Sequence, residues 1–263
     1  MRDLLKIKRK KITILLSVFN SEDVLVNAIE SVLSQTYTSW NMIIINDGST
    51  DSTQDVIDYY VNKFQNIYSL SNEKNYGLAY SLNQGLKYSN SEYIARMDAD
   101  DISLPRRLEI QMSFMEKNPK IDVLGSGALV KNNNSSLEVF KPLTHREISK
   151  KIYKFNPFFH SSILMKKKFI DGVEGYKQSL IKAQDYDLWL RGYKKFNYAN
   201  LDMILIHYNE KIQPPVALIY GFKVRFSNAV RDKRVLQGLF WSIISLTYGF
   251  HRIVKMKIES KFN

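Results

Sequence analysis

The order of its apolar segments constrains this chain most. From residue 12 to about residue 116, short β-branched runs alternate with segments whose apolar residues recur at helical spacing. Ile12 to Phe19 is a strand-type run, and Ser21 to Ser34 carries Val24, Ala28, Ile29, Val32 and Leu33 at helical intervals. Trp40 to Ile45, Ile67 to Leu70 and Glu92 to Met97 read as further strands. Asp51 to Phe64, Gly77 to Tyr88 and Pro105 to about Glu116 read as helices. Repeated strand–helix–strand order predicts an α/β fold with a mainly parallel central sheet flanked by helices. The second half is less regular. Strands are expected at Val123 to Val130, Ser161 to Met165 and Met203 to Tyr208, helices at Thr144 to Tyr153 and Ala183 to Tyr193, and a hairpin tip or loop at Asn132 to Ser136.

After Pro214-Pro215 the character changes. Val216 to Asn263 holds nine Lys or Arg against two acids, with Phe222, Phe226, Phe240, Trp241, Tyr248 and Phe250 interspersed. The expected organisation is a domain over 1–214 and a basic, aromatic-rich helical extension over 215–263. Cysteine is absent, which removes disulfides, thiolate metal sites and cysteine nucleophiles and fits a reducing compartment. The basic stretch Met1 to Lys11 leads into a strand without an apolar h-region, so no signal peptide is expected. No apolar run reaches the ~20 residues of a membrane-spanning helix. The net charge of +12 suggests an anionic partner.

Three expected strand ends carry polar residues. The first ends in Ser17-Val18-Phe19-Asn20-Ser21-Glu22, where Ser17 and Phe19 suit the flanks of a nucleobase. Its alternative is a buried strand running into a helix cap. The second ends in Asn46-Asp47-Gly48-Ser49-Thr50-Asp51, where Gly48 permits close backbone approach and Asp47 can accept hydrogen bonds. Its alternative is a plain turn. The third ends in Asp98-Ala99-Asp100-Asp101. Three carboxylates in four residues repel one another unless a cation or donors offset them, and hard oxygen ligands suit Mg²⁺ or Mn²⁺. The alternative is a solvated acidic turn. In open parallel sheets, ligands bind beyond the carboxyl ends of the strands.

With these stand Lys74-Asn75-Tyr76-Gly77-Leu78-Ala79, Ser81-Leu82-Asn83-x-Gly85, and Tyr93 to Asp101 with Pro105 and Arg107-Leu108. Together, in this order and spacing over roughly residues 12 to 110, they resemble the opening of family 2 glycosyltransferases. The resemblance implies a GT-A fold, a nucleotide-diphosphate sugar donor, most often a UDP-sugar, and inversion at the anomeric carbon. It places Ser17, Phe19, Glu22, Asp47, Asn75, Gly77, Asp98 and Asp100 around the donor, with Asp100 on a Mn²⁺ or Mg²⁺ ion. Downstream, Gln184-Asp185-Tyr186-Asp187-Leu188-Trp189 resembles a Glu-Asp-Tyr-Asp-Leu-Trp segment, making Asp185 the expected base. Asp187 competes with it, or serves as a helix N-terminal acid. Gln184 departs from the pattern. Asn209 and Lys211 stand where the family carries Arg and His, so Lys211 is assigned to diphosphate. His160 resembles a residue near the acceptor, with a structural histidine as the alternative.

The resemblance implies a glycan or lipid-linked acceptor in envelope or capsule polysaccharide synthesis. The basic tail suggests an anionic membrane surface, hence a cytoplasmic protein peripheral on the inner face of the membrane; the alternative is a helical pair packed on the domain. Nucleic acid is disfavoured, since no recognition motif is present. Ser17 to Asp23 lacks glycine, which argues against a nucleotidyltransferase loop or a Gly-x-Gly-x-x-Gly site. A non-catalytic sugar-binding relic of the fold is the remaining rival.

Overall fold

The structure, a computed structural model, describes residues 7–132, 135–210 and 215–247. The first half is strand β1 (Ile12–Val18), helix α1 (Glu22–Leu33), β2 (Trp40–Asn46), α2 (Thr53–Lys63), β3 (Ile67–Ser71), α3 (Leu78–Tyr88), β4 (Tyr93–Asp98), β5 (Ile102–Ser103) and α4 (Arg107–Lys117). The second half is β6 (Val123–Asn132), β7 (Ser135–Val139), α5 (His145–Lys151), a 3₁₀ turn (His160–Ser162), β8 (Leu164–Lys166), α6 (Lys167–Gly172), α7 (Gln184–Gly192), β9 (Tyr198–Asn209) and α8 (Pro215–Arg231). Residues 235–247 form a further helix.

One nine-stranded sheet runs β3-β2-β1-β4-β8-β6-β9-β5, with β7 paired to β6. The β3-β2-β1-β4 half is parallel throughout, as the strand–helix alternation predicts. Beyond β4 the sheet is mixed: β8 pairs antiparallel with β4 and β6, while β6 and β9 run parallel. The short β5, β7 and α6 are not in the sequence reading. The segment expected as a strand from Ser161 begins instead with the 3₁₀ turn, and β8 starts at Leu164. The last strand begins at Tyr198, five residues before the expected start. The expected hairpin is present as the β6–β7 pair, closed at Asn132 and Ser135.

Period-two geometry divides the parallel strands between two cores. Ile14, Leu16, Met42 and Ile44 pack with Leu25, Ile29, Ile57 and Met112 from α1, α2 and α4. Leu15, Ile43, Ile45 and Ile94 pack with Leu82, Phe169, Leu188 and Trp189 from α3, α6 and α7. Strands buried on both faces need near-continuous apolar runs, and β2 is buried at every position. Gly85 belongs to this packing, because a Cβ there would lie 2.9 Å from Ile45 and 3.0 Å from Leu15. The C-terminal helices join the same body: Val224 and Ala229 of α8 sit in the α7 core.

Candidate functional site

The register of the parallel strands puts three polar ends side by side. Ser17 of β1 is paired with Asp98 of β4, and Val18 with Asn46 of β2. The loops that follow are stitched together. Asn20, at φ 46°, accepts from Thr50 N (2.8 Å), and its own N–H donates to Ser49 Oγ (3.0 Å). Glu22 accepts from Ser52 N (2.7 Å), while its N–H donates to Asp51 Oδ2 (3.2 Å). The exposed Glu22 carboxylate thus braces the loop after β2. Ser17 is half-buried, and Phe19 offers an exposed ring at the same edge.

Asp47 is buried and holds the loop before α3. Its carboxylate accepts from Asn72 Nδ2 (2.7 Å), Tyr76 N (3.0 Å) and Gly77 N (2.8 Å). Gly77, at φ 92°, adopts a conformation that favours glycine. Asn75 projects as an exposed residue from this loop. Gly48 is required by contact: at φ 73°, its added Cβ would lie 2.4 to 2.7 Å from the Lys74–Asn75 backbone. Gly48→Ala is therefore expected to cost about 1–3 kcal/mol and to displace residues 72–77, where the sequence reading assigns Asn75 and Gly77 to the donor pocket. Thermal denaturation and nucleotide titration check this; unchanged values in both would show that the loop yields freely.

The acidic run divides into distinct environments. Arg96, almost fully buried in β4, pairs with Asp98 Oδ1. Burial is the largest influence on Asp98 and raises its pKa, but the Arg96 charge, His160 and the hydrogen bonds from Ser161 and Arg96 together outweigh it and hold the carboxyl below the usual range. Asp101 is buried and turned inward, accepting from Asn209 N (2.7 Å) and bonded to Ser161. Burial and the Asp98 charge raise it to about 7. Ser161 also donates to Asp98 Oδ2 (2.7 Å). One hydroxyl proton cannot serve two carboxylates, so a proton on Asp101 completes the chain Asp101–Ser161–Asp98. Asp100 is half-buried beyond the strand end.

Among the described residues, no three His, Cys, Asp or Glu side chains gather into a metal cage. The donor set still suits Mg²⁺ or Mn²⁺. Such ions are commonly held by one or two carboxylates, water and substrate phosphates rather than by an all-protein shell, and Asp100 places a half-buried carboxylate at this edge.

Asp185 comes from the other half of the sheet. It lies in the first turn of α7, where the helix dipole favours acids. Ala183 starts the helix in a left-handed conformation, φ 60°. Asp185 accepts from Asn156 Nδ2 (2.6 Å). Burial raises its pKa, with the Asp98 charge adding to the shift, so the two carboxylates share one electrostatic site. Asp187 is committed elsewhere: it pairs with Arg191 Nε (2.7 Å) and accepts from Asn228 Nδ2 of α8 (3.1 Å). Gln184 is buried in the same turn.

Tyr208, Tyr176 and Lys141, which the sequence reading did not single out, join His160 and Asn83 around these carboxylates. Tyr208 is raised by burial and by the fields of Asp98, Asp101, Asp185 and Asp100 in turn. Tyr176 is raised by burial and by Asp185 and Asp98, against Arg96. His160 meets Tyr176 Oη at 2.9 Å, and burial and Arg96 pull it down to about 3, so it is neutral. Asn83, from the Ser-Leu-Asn motif, fixes Tyr176 by accepting from its N–H (2.9 Å) and donating to its carbonyl (2.7 Å). Lys141 Nζ lies 4.6 Å from the Phe159 ring centre; burial lowers its pKa, and Asp185 and Glu210 oppose this. Lys211 lies outside the described residues.

Comparison with known proteins follows this geometry. The family model for glycosyl transferase family 2 matches residues 13–172, more than half of the 263 residues; α7 lies beyond the matched segment. The O-antigen biosynthesis glycosyltransferase WbnJ of Escherichia coli is 31% identical over 204 residues, covering 75% of this chain and 78% of the relative. Against other curated relatives, the match spans 63 to 69% of their length. The crystal structure of S. aureus TarS 1–349 in complex with UDP-GlcNAc has a TM-score of 0.70 at 19% identity, covering 84% of this chain and 66% of that one. The mannosyltransferase PcManGT from Pyrobaculum calidifontis, in complex with GDP-Man and Mn²⁺, has a TM-score of 0.66 at 14% identity, covering 95% of this chain and 76% of that one. At these identities the structural likeness establishes the GT-A fold. With the family match over residues 13–172 and the 31% identity to a relative covered over 78% of its length, the chain belongs to glycosyl transferase family 2.

Proposed function

We propose that this glycosyltransferase moves a sugar from a nucleoside-diphosphate donor, a UDP-sugar, to a hydroxyl of a glycan or lipid-linked acceptor in envelope polysaccharide synthesis. The observation that carries this reading is that one segment, residues 156–161, bonds both carboxylates, Asn156 donating to Asp185 (2.6 Å) and Ser161 to Asp98 (2.7 Å). Asp98 is held ionised by Arg96 at the donor edge, while Asp185, with a raised pKa, stands on α7 within reach of its field. Ser17, Phe19 and Asp47 border the nucleobase side, with Asn75 and Gly77 along the donor pocket. Asp98 faces the donor ribose or sugar.

In an inverting displacement, the acceptor oxygen attacks the anomeric carbon on the face opposite the diphosphate. Asp185 takes the hydroxyl proton as the new C–O bond forms. A general base works best with a pKa near the operating pH, and the upward shift at Asp185 moves it that way. Asn156 holds the carboxylate in place through Oδ2. Asp100 would hold a divalent ion, which when bound offsets charge on the leaving diphosphate. Lys211 is assigned to the diphosphate and His160, neutral, to the acceptor side. The relatives' polysaccharide roles and the nucleotide and Mn²⁺ complexes of the structural neighbours support this reading. A lipid-linked acceptor would place the reaction at the cytoplasmic face of the membrane.

A panel of UDP-, GDP- and dTDP-sugars, each assayed with Mn²⁺ and with a chelator, tests the reading. Turnover of at least one donor, lost on chelation and restored by added metal, is expected. Folded protein that turns over no donor under any condition would favour the non-catalytic relic. Turnover that survives chelation would remove the metal from the account.

A further inference from the structure

The helix over 235–247 is built inside out. Its large apolar residues Leu236, Leu239, Phe240, Ile243 and Ile244 follow i, i+3, i+4, i+7, i+8 spacing, yet they face outward: Leu236 is 85% exposed and the other four are 37 to 56% exposed. Its inner face is made instead by small residues. Gly238 and Ser242 are buried, and a Cβ on Gly238 would lie 2.2 Å from the Ala229 Cβ of α8. Trp241 completes that face, partly buried against the core beneath Lys154 Nζ at 5.0 Å. Ordinary surface helices do the reverse and bury their apolar stripe, so the outward stripe needs a partner.

Charge says what that partner is. Residues 235–247 contain no charged side chain. Lys233 and Arg234 precede them, both exposed, and the sequence beyond carries Arg252, Lys255, Lys257 and Lys261 against Glu259. The nearest acid, Asp232, is turned inward: it pairs with Arg231 and Lys194 and accepts from Tyr153 Oη (2.6 Å). An uncharged apolar stripe between flanks rich in Lys and Arg suits an anionic lipid leaflet. Among the described residues, no helix is long and apolar enough to cross a membrane, so the helix would lie in the interface.

We propose that helix 235–247 is a membrane-docking element, seating Leu236, Leu239, Phe240, Ile243 and Ile244 among the acyl chains of an anionic leaflet while the basic flanks contact its headgroups. The proposal rests on the function proposed above only for a lipid-borne acceptor; the surface stands on its own residues. The docking helix packs on α8, and α8 holds α7 through Asn228 and Asp187. Docking would therefore fix the catalytic helix at a defined height above the lipid.

Flotation of the full chain with vesicles tests this. Wild-type protein is expected to float with phosphatidylcholine–phosphatidylglycerol vesicles, far less with phosphatidylcholine alone, and less at high salt. The Leu236→Glu/Phe240→Glu double variant should lose at least tenfold in partitioning while keeping its circular dichroism, melting temperature and turnover of a water-soluble acceptor. Wild-type protein that stays at the bottom with both vesicles overturns the proposal, as does a double variant that floats equally. A concentration-dependent dimer broken by the same substitutions would assign the stripe to a second copy and also overturn it. Flotation without donor turnover in the panel above would sink the transferase reading and leave the docking surface standing.

Discussion

Asp185→Asn is expected to lower kcat by about 10³-fold or more, in the upper range for loss of a positioned general base, while nucleotide affinity stays near wild type. The variant keeps the shape of the side chain and a carbonyl oxygen to accept from Asn156, but has no basic oxygen for the acceptor proton. Stability should move the other way. Burial raises the Asp185 pKa in the folded chain, so below the ordinary aspartate pKa the group costs nothing. As pH rises from there through the raised value, the unfolded chain releases its proton first and wild-type stability falls. Asn carries no such penalty. The variant should therefore melt at or above the wild-type temperature at neutral pH, and the difference should disappear in acid. The acid limb of the wild-type kcat/KM profile should likewise lie above the ordinary aspartate range. Activity and melting curves across pH check both halves, and near-normal kcat in the variant would remove Asp185 from the mechanism.

Arg96→Leu is expected to destabilise the fold by about 1–3 kcal/mol, less than breaking a fully buried ion pair from one side, because the Asp98 side chain left behind is 29% exposed. Arg96 is 1% exposed, in the middle of the sheet. Its guanidinium neutralises Asp98 and bonds to the Met97 carbonyl. Next to it, the equally buried Arg107 donates to the carbonyls of Arg96 (3.0 Å) and Ile163 (3.1 Å). Without Arg96, Asp98 keeps its burial and the Ser161 bond but loses the charge that holds it ionised. Asp98 should then rise into the titrating range and nucleotide binding should weaken with it. Urea unfolding of Arg96→Leu beside Asp100→Asn separates the effects: the second should leave stability unchanged, because Asp100 is only half-buried. Equal stability of both variants would show that the Arg96–Asp98 pair carries little of the fold.

The sequence made one half of this architecture legible. Local periodicity placed β1, β2 and β4, and with them the strand ends at Ser17, Asp47 and Asp98. The roles of neighbouring acids were not legible, because long-range partners decide them. Asp101 differs from Asp100 through Ser161, 60 positions on, and Asn209, 108 positions on. Asp187 differs from Asp185 through Asn228, 41 positions later, and Arg191, which hold its carboxylate. The charge of Arg96 hid its place in the core, since a buried guanidinium looks like a surface residue until its carboxylate is seen. The two-residue β5 and the edge strand β7 are too short or too polar to show a period. The basic tail was read as either a membrane surface or a helical pair packed on the domain; Val224, Ala229 and Trp241 pack α8 and the helix over 235–247 on the domain, and the membrane surface stands as a proposal.

The central claim is a single displacement in which Asp185 deprotonates the acceptor opposite the departing diphosphate. The anomeric configuration of the product tests it most directly. With an α-linked nucleotide sugar as donor, proton NMR of the purified glycoside should show a β linkage. An α-linked product would mean retention, and would contradict both the single displacement and the role given to Asp185.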